Sequence, residues 1–369
     1  MERSARSLNG DISPRLDDRA SGTHAVRLWL LATALLVLLM VLLGGATRLT
    51  DSGLSITEWR PIMGAIPPLS DTQWQEAFGK YQQIPEYQRV NKGMSLDEFK
   101  TIYWWEWTHR FLGRLIGLVF AVPFVIFWLR GRFDRPLTVK LLAIFVLGGL
   151  QGVMGWYMVM SGLVDRVDVS QYRLALHLAL AAAIFGAILW VVFGMGEGRA
   201  TASRQVPAKT LLYSAIGLCV LVFIQIVLGA FVAGMDAGLA YNTWPLMNGA
   251  LVPEGLGVME PWYLNPFENA LTVQFDHRLA AYLMTVWAIL HALAAYRREG
   301  RAAAQSALWL AIAVVLQVLF GIATLVWSVP FGMALAHQAG AFIVLGLALF
   351  HLHCLVAPVG APVRQTATA

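Results

Sequence analysis

The chain alternates long apolar stretches with shorter polar ones. Eight stretches are long enough to cross a bilayer, which takes about 20 apolar residues. They run 27–46, 104–129, 139–160, 172–194, 210–233, 272–295, 304–328 and 332–356. Each predicts a helix, because a spanning segment has to satisfy its own backbone hydrogen bonds. The second stretch is the anomaly. It opens on Glu106-Trp107-Thr108-His109-Arg110 and also holds Arg114. Ionisable groups are costly in hydrocarbon, so these imply a protein-lined interior and a functional role. On a helix Glu106 and His109 stand at i and i+3 and share a face.

The polar stretches give the topology. Arg130, Arg132, Arg135 and Lys140 fall on the same side as Arg199, Arg204, Lys209, Arg297, Arg298 and Arg301 if the spans alternate. Residues 234–271 on the other side hold no Lys or Arg, and the 47–103 loop offsets six with seven acids. Positive loops stay inside, so both termini are expected in the cytoplasm and the histidine sites described below toward the periplasm. Residues 1–26 mix arginines with acids and lack an apolar core, unlike a signal or transit peptide. They are expected to be a disordered cytoplasmic tail, which favours a bacterial inner membrane.

Composition narrows the class. The 369 residues are 58% hydrophobic and 13% charged, half the charge of an ordinary soluble domain. The net charge of +5 comes with no basic block interleaved with aromatics, so it reads as topology and not as nucleic-acid binding. Cys219 and Cys354 lie inside apolar stretches and build neither a metal motif nor a disulfide framework.

An internal repeat organises the spans. Gln-x-x-x-Gly occurs in the third, fifth and seventh as Gln151/Gly155, Gln225/Gly229 and Gln317/Gly321, with Met40 and Gly44 in the matching places of the first. His109-Arg110 is echoed by His277-Arg278, and His177 by His337. The expected fold is therefore all-α, eight transmembrane helices forming two tandem, pseudo-symmetric four-helix bundles. Its units are 27–195 and 210–356, joined by a cytoplasmic linker at 196–209 and followed by a tail at 357–369. The Gln-x-x-x-Gly unit itself reads as packing, with glycine admitting a neighbouring helix and glutamine hydrogen-bonding between helices. Trp104, Trp105 and Trp107 read as an interfacial aromatic belt. In the 47–103 loop, Trp74, Phe78 and Tyr81 recur at near-helical spacing, as in a segment lying on the membrane or capping the bundle.

Four histidines at matched depth, two per unit on facing helices, are what bis-imidazole ligation of haem iron requires. The spacing pairs His109 with His177 and His277 with His337. Arg110 and Arg278 are placed to meet haem propionates. A second pattern competes: His277 and His291 are 14 residues apart, as are His337 and His351. That is about 21 Å along a helix, enough to stack two haems. The first unit has Pro123 and Val191 at those places, and His291 and His351 fall near the helix exits, so they read as interfacial, with His353. His24 lies in the tail. One asymmetry points to chemistry: Glu106 precedes His109 by three residues, whereas Gln274 precedes His277. A carboxylate exchanges protons beside a reacting group and an amide does not. One unit would then hold an electron-carrying haem and the other a haem that reacts. A non-catalytic, quinone-linked cytochrome b and a haem transporter are the alternatives.

At these residues the chain resembles the haem A synthase family, in its proteobacterial and mitochondrial branch, over about 27–355. The resemblance rests on Gly44-Gly45-Ala46-Thr47-Arg48-Leu49-Thr50, Ser52-Gly53-Leu54-Ser55, Glu58-Trp59, Pro67-Pro68-Leu69, Pro85-Glu86-Tyr87, Tyr103-Trp104 before Glu106-Trp107-x-His109-Arg110, and Gln151-Gly152-x-x-Gly155-Trp156-Tyr157. Other branches carry a cysteine pair in the first external loop, and this chain has none there. The resemblance implies oxidation of a ring methyl of haem O to a formyl group by way of an alcohol, giving haem A for terminal oxidases. It implies haem b iron held by His277 and His337, and substrate haem near His109 and His177 with Glu106 assisting. It also implies haem O synthase and oxidase assembly factors as partners and an electron acceptor. A homo-oligomer stays open.

Overall fold

The computed structural model describes residues 13–60, 63–163, 167–195 and 208–356. The tail at 357–369, most of the linker, and Arg166, Arg199 and Arg204 lie outside the described residues. Among the described residues, eight helices are long and apolar enough to cross a membrane. They are α1 (Ser13–Leu49), α2 (Leu96–Leu129), α3 (Arg135–Gly162), α4 (Gln171–Gly194), α5 (Lys209–Gly234), α6 (Ala270–Arg298), α7 (Arg301–Val326) and α8 (Phe331–Val356). α1 starts inside the stretch expected to be a disordered tail. Its Pro14 sits in the first turn, where a missing N–H costs nothing, and the residues that follow extend α1 outward.

Local chemistry explains the helix ends. α2 begins two turns before the apolar run, because Ser95 and Glu98 close a capping box: Ser95 Oγ accepts from Glu98 N, and Ser95 N donates to Glu98 Oε2 at 2.7 Å. α3 is capped by Asp134, which accepts from Leu137 N at 2.8 Å. Pro123 lies inside α2 and deprives the Val119 carbonyl of its helical donor. The Trp29 indole N–H of α1 takes that place at 2.8 Å. In lipid such a carbonyl has to be satisfied from a neighbouring helix.

Packing divides the helices unevenly. α1 packs on α2 and α4, and α3 on α4. α5, α6, α7 and α8 pack as a closed ring of neighbours, and α4 and α1 join the first four helices to α5 and α8. The shared core lies at this junction, around Leu30, Ile188, Leu218, Val314 and Phe342. Lipid tails are as apolar as these side chains, so close van der Waals contact holds the helices together, more than water exclusion.

The 47–103 loop folds over one end of the first four helices. A helix at Asp71–Tyr81 turns Trp74, Phe78 and Tyr81 inward against Phe99 and Tyr103 of α2 and against Leu54. Of the two readings of that segment, the cap is the one observed. Trp104 and Trp107 join its rim, with ring centroids 5.3 Å apart.

Candidate functional site

Three of the four repeat histidines sit in the same cradle. The Gln225 amide donates to the His277 carbonyl at 2.9 Å and lies 3.1 Å from its Nδ1. Gln317 does the same to His337, at 2.7 and 3.1 Å. Gln151 donates to the His177 carbonyl at 3.2 Å and lies 3.3 Å from its Nε2. Each glycine of the motif faces a ring edge. A Cβ at Gly229 would come within 3.2 Å of His277 Cε1, one at Gly155 within 3.4 Å of His177 Cε1, and one at Gly321 within 2.7 Å of His337 Cε1. The packing role expected of Gln-x-x-x-Gly is present, and its partner is the histidine in each case. Each ring is thus held through its backbone carbonyl and at its Cε1 edge, with the amide beside the ring nitrogens, within 3.4 Å of both in His277.

His109 differs. Gly44 faces its ring at 3.3 Å, but Met40 stands where the glutamine would be. His109 and His177 lie within electrostatic reach of each other, as do His277 and His337. All four residues are partly buried.

The two arginines also differ. Arg278 donates from Nη2 to the Tyr241 carbonyl at 2.8 Å and to Gln274 Oε1 at 3.1 Å. Its Nε and Nη1 are buried without a hydrogen-bond partner. Arg110 is largely engaged. It grips Glu106 Oε1 from Nε and Nη2 at 3.0 and 2.6 Å, and donates to the carbonyls of Ile56 and Glu58. Glu106 is itself 3% exposed. Its other oxygen accepts from Ser55 Oγ and Ile56 N, both at 2.7 Å. Glu106 and Arg110 thus pin the start of the capping loop to α2.

Within the cap, Glu86 is 4% exposed and its Oε2 has no partner. Burial first, then the nearby Glu106 and Asp51 carboxylates, push its carboxyl up to about 8. Sequence reading gave this residue no role beyond the family motif. An acid inside an aromatic cluster (Tyr81, Phe99) is visible only once the cap is folded.

One expectation is corrected. His291 and His351 are not interfacial: they are 3% and 0% exposed. Their Nε2 atoms are hydrogen-bonded at 2.7 Å, with Ser214 Oγ 2.8 Å from His291 Nδ1 and Ser306 Oγ 2.8 Å from His351 Nδ1. Trp287 Nε1 donates to Ser214 at one end, and Ser306 donates to the Ala303 carbonyl at the other. An indole only donates and a carbonyl only accepts, so the chain has one direction and each ring donates at one nitrogen and accepts at the other. α5, α6, α7 and α8 contribute one such residue each. The pair closes on itself with no room for a porphyrin between the rings. Its helices continue past it to Arg298 and Val356, which carries both side chains inside the bundle. His353 packs edge-on to the Trp190 ring and tilted against the Phe193 ring.

Residues 27–349 match the family model described as cytochrome oxidase assembly protein. The chain is 56% identical over 332 residues to a haem A synthase of Parvibaculum lavamentivorans, covering 90% of this chain and 94% of that one. It is 54% identical over 342 residues to a haem A synthase of Chelativorans sp., covering 92% and 94%. A haem A synthase of Bradyrhizobium diazoefficiens is 55% identical over 328 residues, covering 88% and 90%. The chain belongs to the haem A synthase family. The eight apolar helices and this membership agree with a multi-pass protein of a bacterial inner membrane. The matched stretch spans all four repeat histidines, Glu106, Arg110 and Arg278.

Proposed function

We propose that the chain converts haem O to haem A, oxidising a ring methyl through a hydroxymethyl stage to a formyl group, with the two sets of four helices holding two different haems. His277 and His337 would hold a resident haem b. His109 and His177 would hold the substrate haem.

The residues present fit these groups. The single observation that carries the resident site is Arg278, whose Nε and Nη1 are buried beside His277 without partners. Unsatisfied guanidinium donors are costly to bury, and a porphyrin carboxylate is a suitable acceptor for them. Gln225 and Gln317 would fix the ligand rings, and Gly229 and Gly321 would admit them. Haem b bound there would supply one-electron transfer. On the substrate side His177 has a buried Nδ1 without a partner.

Counted with water as the oxygen source, the methyl-to-alcohol step and the alcohol-to-formyl step each release two protons and two electrons, the electrons passing to an external acceptor. Glu106 is the carboxylate proposed to serve that proton traffic, lying one helical turn from His109. To take a proton, its Oε2 has to release Ser55 or the Ile56 amide, so movement of the loop start would accompany catalysis. Arg110 would hold the carboxylate oriented and keep one Nη1 hydrogen for a substrate propionate. Both termini would lie in the cytoplasm, and the histidine sites toward the opposite face.

Glu106→Gln tests this reading. Gln274 holds Arg278 by the same i, i+4 contact, so the amide can keep Arg110, but its NH2 replaces the oxygen that accepts from Ile56 N, so hydrogen exchange in 50–60 is followed alongside to show that the loop start stays docked. Membranes supplied with haem O are expected to retain haem b absorbance and to make haem A at least about 100-fold more slowly. Unchanged haem A production would remove Glu106 from the reaction.

A further inference from the structure

α2 and α3 are joined by a tight turn, as are α6 and α7, yet the two pairs behave differently. α6 and α7 pack closely. α2 and α3 touch at the turn end, where Phe145 of α3 stacks on Phe120 and Phe124 of α2, with centroids 6.1 and 6.5 Å apart. Away from the turn they part. No residue of α3 between Ile144 and Gly162 is buried, nor any of α2 between Glu106 and Phe120. The side of α3 that carries Phe145 continues, at i+4, i+7 and i+11, through Gly149, Gly152 and Trp156. A Cβ at either glycine would meet nothing within 4 Å, and Trp156 is 41% exposed. On α2, Gly117 lies one turn beyond Phe120 and also faces open space. About two turns further along α2 stands His109, whose ring edge faces Gly44 of α1.

We infer that this wedge between α2 and α3, closed at its base by Phe120, Phe124 and Phe145, is the lateral portal through which an amphiphilic porphyrin passes from the bilayer to His109 and His177. A flat macrocycle with an apolar edge fits a slot with glycine walls. The opening reaches the depth of the substrate histidines, and the corresponding side of the last four helices, which hold a cofactor that stays, is shut. The inference rests on the proposed placing of substrate at His109 and His177.

The test uses the full chain with Cys219→Ala and Cys354→Ala and with Gly117→Cys and Gly152→Cys, joined by a short bismaleimide, against the same variant left unjoined. Haem O is supplied before joining in one arm and after it in the other. The portal predicts that joining first cuts haem A formation at least tenfold, that joining after loading allows one turnover per chain, and that haem b absorbance is the same in both arms. Equal conversion in the two arms overturns the portal. Loss in both arms places the wedge inside the reacting site and also overturns it. Gly152→Trp gives a second reading without chemistry: conversion falls at limiting haem O and recovers at saturation, whereas a loss that saturation leaves in place contradicts entry. Failure of the underlying site reading shows separately, as haem A formation that survives His109→Ala.

Discussion

The first four helices and the last four carry the same parts in different states. Around His277 and His337 the rings and helices are tied down: a glutamine on each ring, a glycine against each edge, close packing of α6 on α7, and the Ser214–His291–His351–Ser306 chain locking all four helices further along. Around His109 and His177 the ties are fewer. Met40 replaces a glutamine, α2 parts from α3, and the Glu106–Arg110 pair anchors a 57-residue loop instead of leaving a guanidinium free. A cofactor that stays rewards rigidity, since pre-organised ligands bind more tightly. A substrate that enters, reacts and leaves needs an opening and parts that move. On the proposed reading, the same repeat would yield a holding site and a working site through a few substitutions.

The largest effect expected from probing this contrast comes from the glycines. Gly321→Ala puts a methyl against the His337 ring, which is fixed from its other side by Gln317, and should abolish low-spin haem b absorbance. Gly148→Ala on open α3 meets nothing and should leave haem b and haem A formation as they are. A similar loss from both would erase the difference between a tight and a loose unit. Next in size, Gln225→Leu should weaken haem b retention by about 10–100-fold, the usual cost of losing a hydrogen bond that orients a metal-binding histidine, as read by haem loss to apomyoglobin. Retention at the wild-type level would reduce Gln225 to packing.

A smaller effect concerns the cap. Glu86 titrates near 8 when folded and near 4.5 when exposed. The folded state thus holds a proton that the unfolded state has released, and cap stability is full below about pH 4.5 and declines as pH rises through 8. Glu86→Gln should flatten that slope and raise the stability of the cap at pH 8, measured by hydrogen exchange in 71–90. An unaltered slope would assign the pH dependence elsewhere.

Much of this was legible in the sequence, for reasons of scale. Eight spans follow from apolar length alone. The pairing of His109 with His177 and of His277 with His337 follows from a repeat that fixes depth. What was hidden depends on the third dimension. His291 and His351 lie near helix exits in sequence, but whether a residue faces lipid or a neighbour depends on helix rotation, which a uniformly apolar helix does not reveal. Arg110 looked ready for a propionate, because nothing in the pattern showed that the Ile56 and Glu58 carbonyls fold back onto it. The wedge was invisible for the same reason: nothing in the sequence tells that Gly148, Gly149 and Gly152 face no neighbouring side chain.

The division between a resident and a reacting haem is tested most directly by comparing His109→Ala with His277→Ala, each purified from membranes supplied with haem O and analysed by absorbance and by chromatography of extracted pigment. The account predicts that His277→Ala loses the low-spin haem b spectrum, while His109→Ala keeps it and accumulates haem O without haem A. Full haem b absorbance in His277→Ala, or continued haem A formation in His109→Ala, would contradict it.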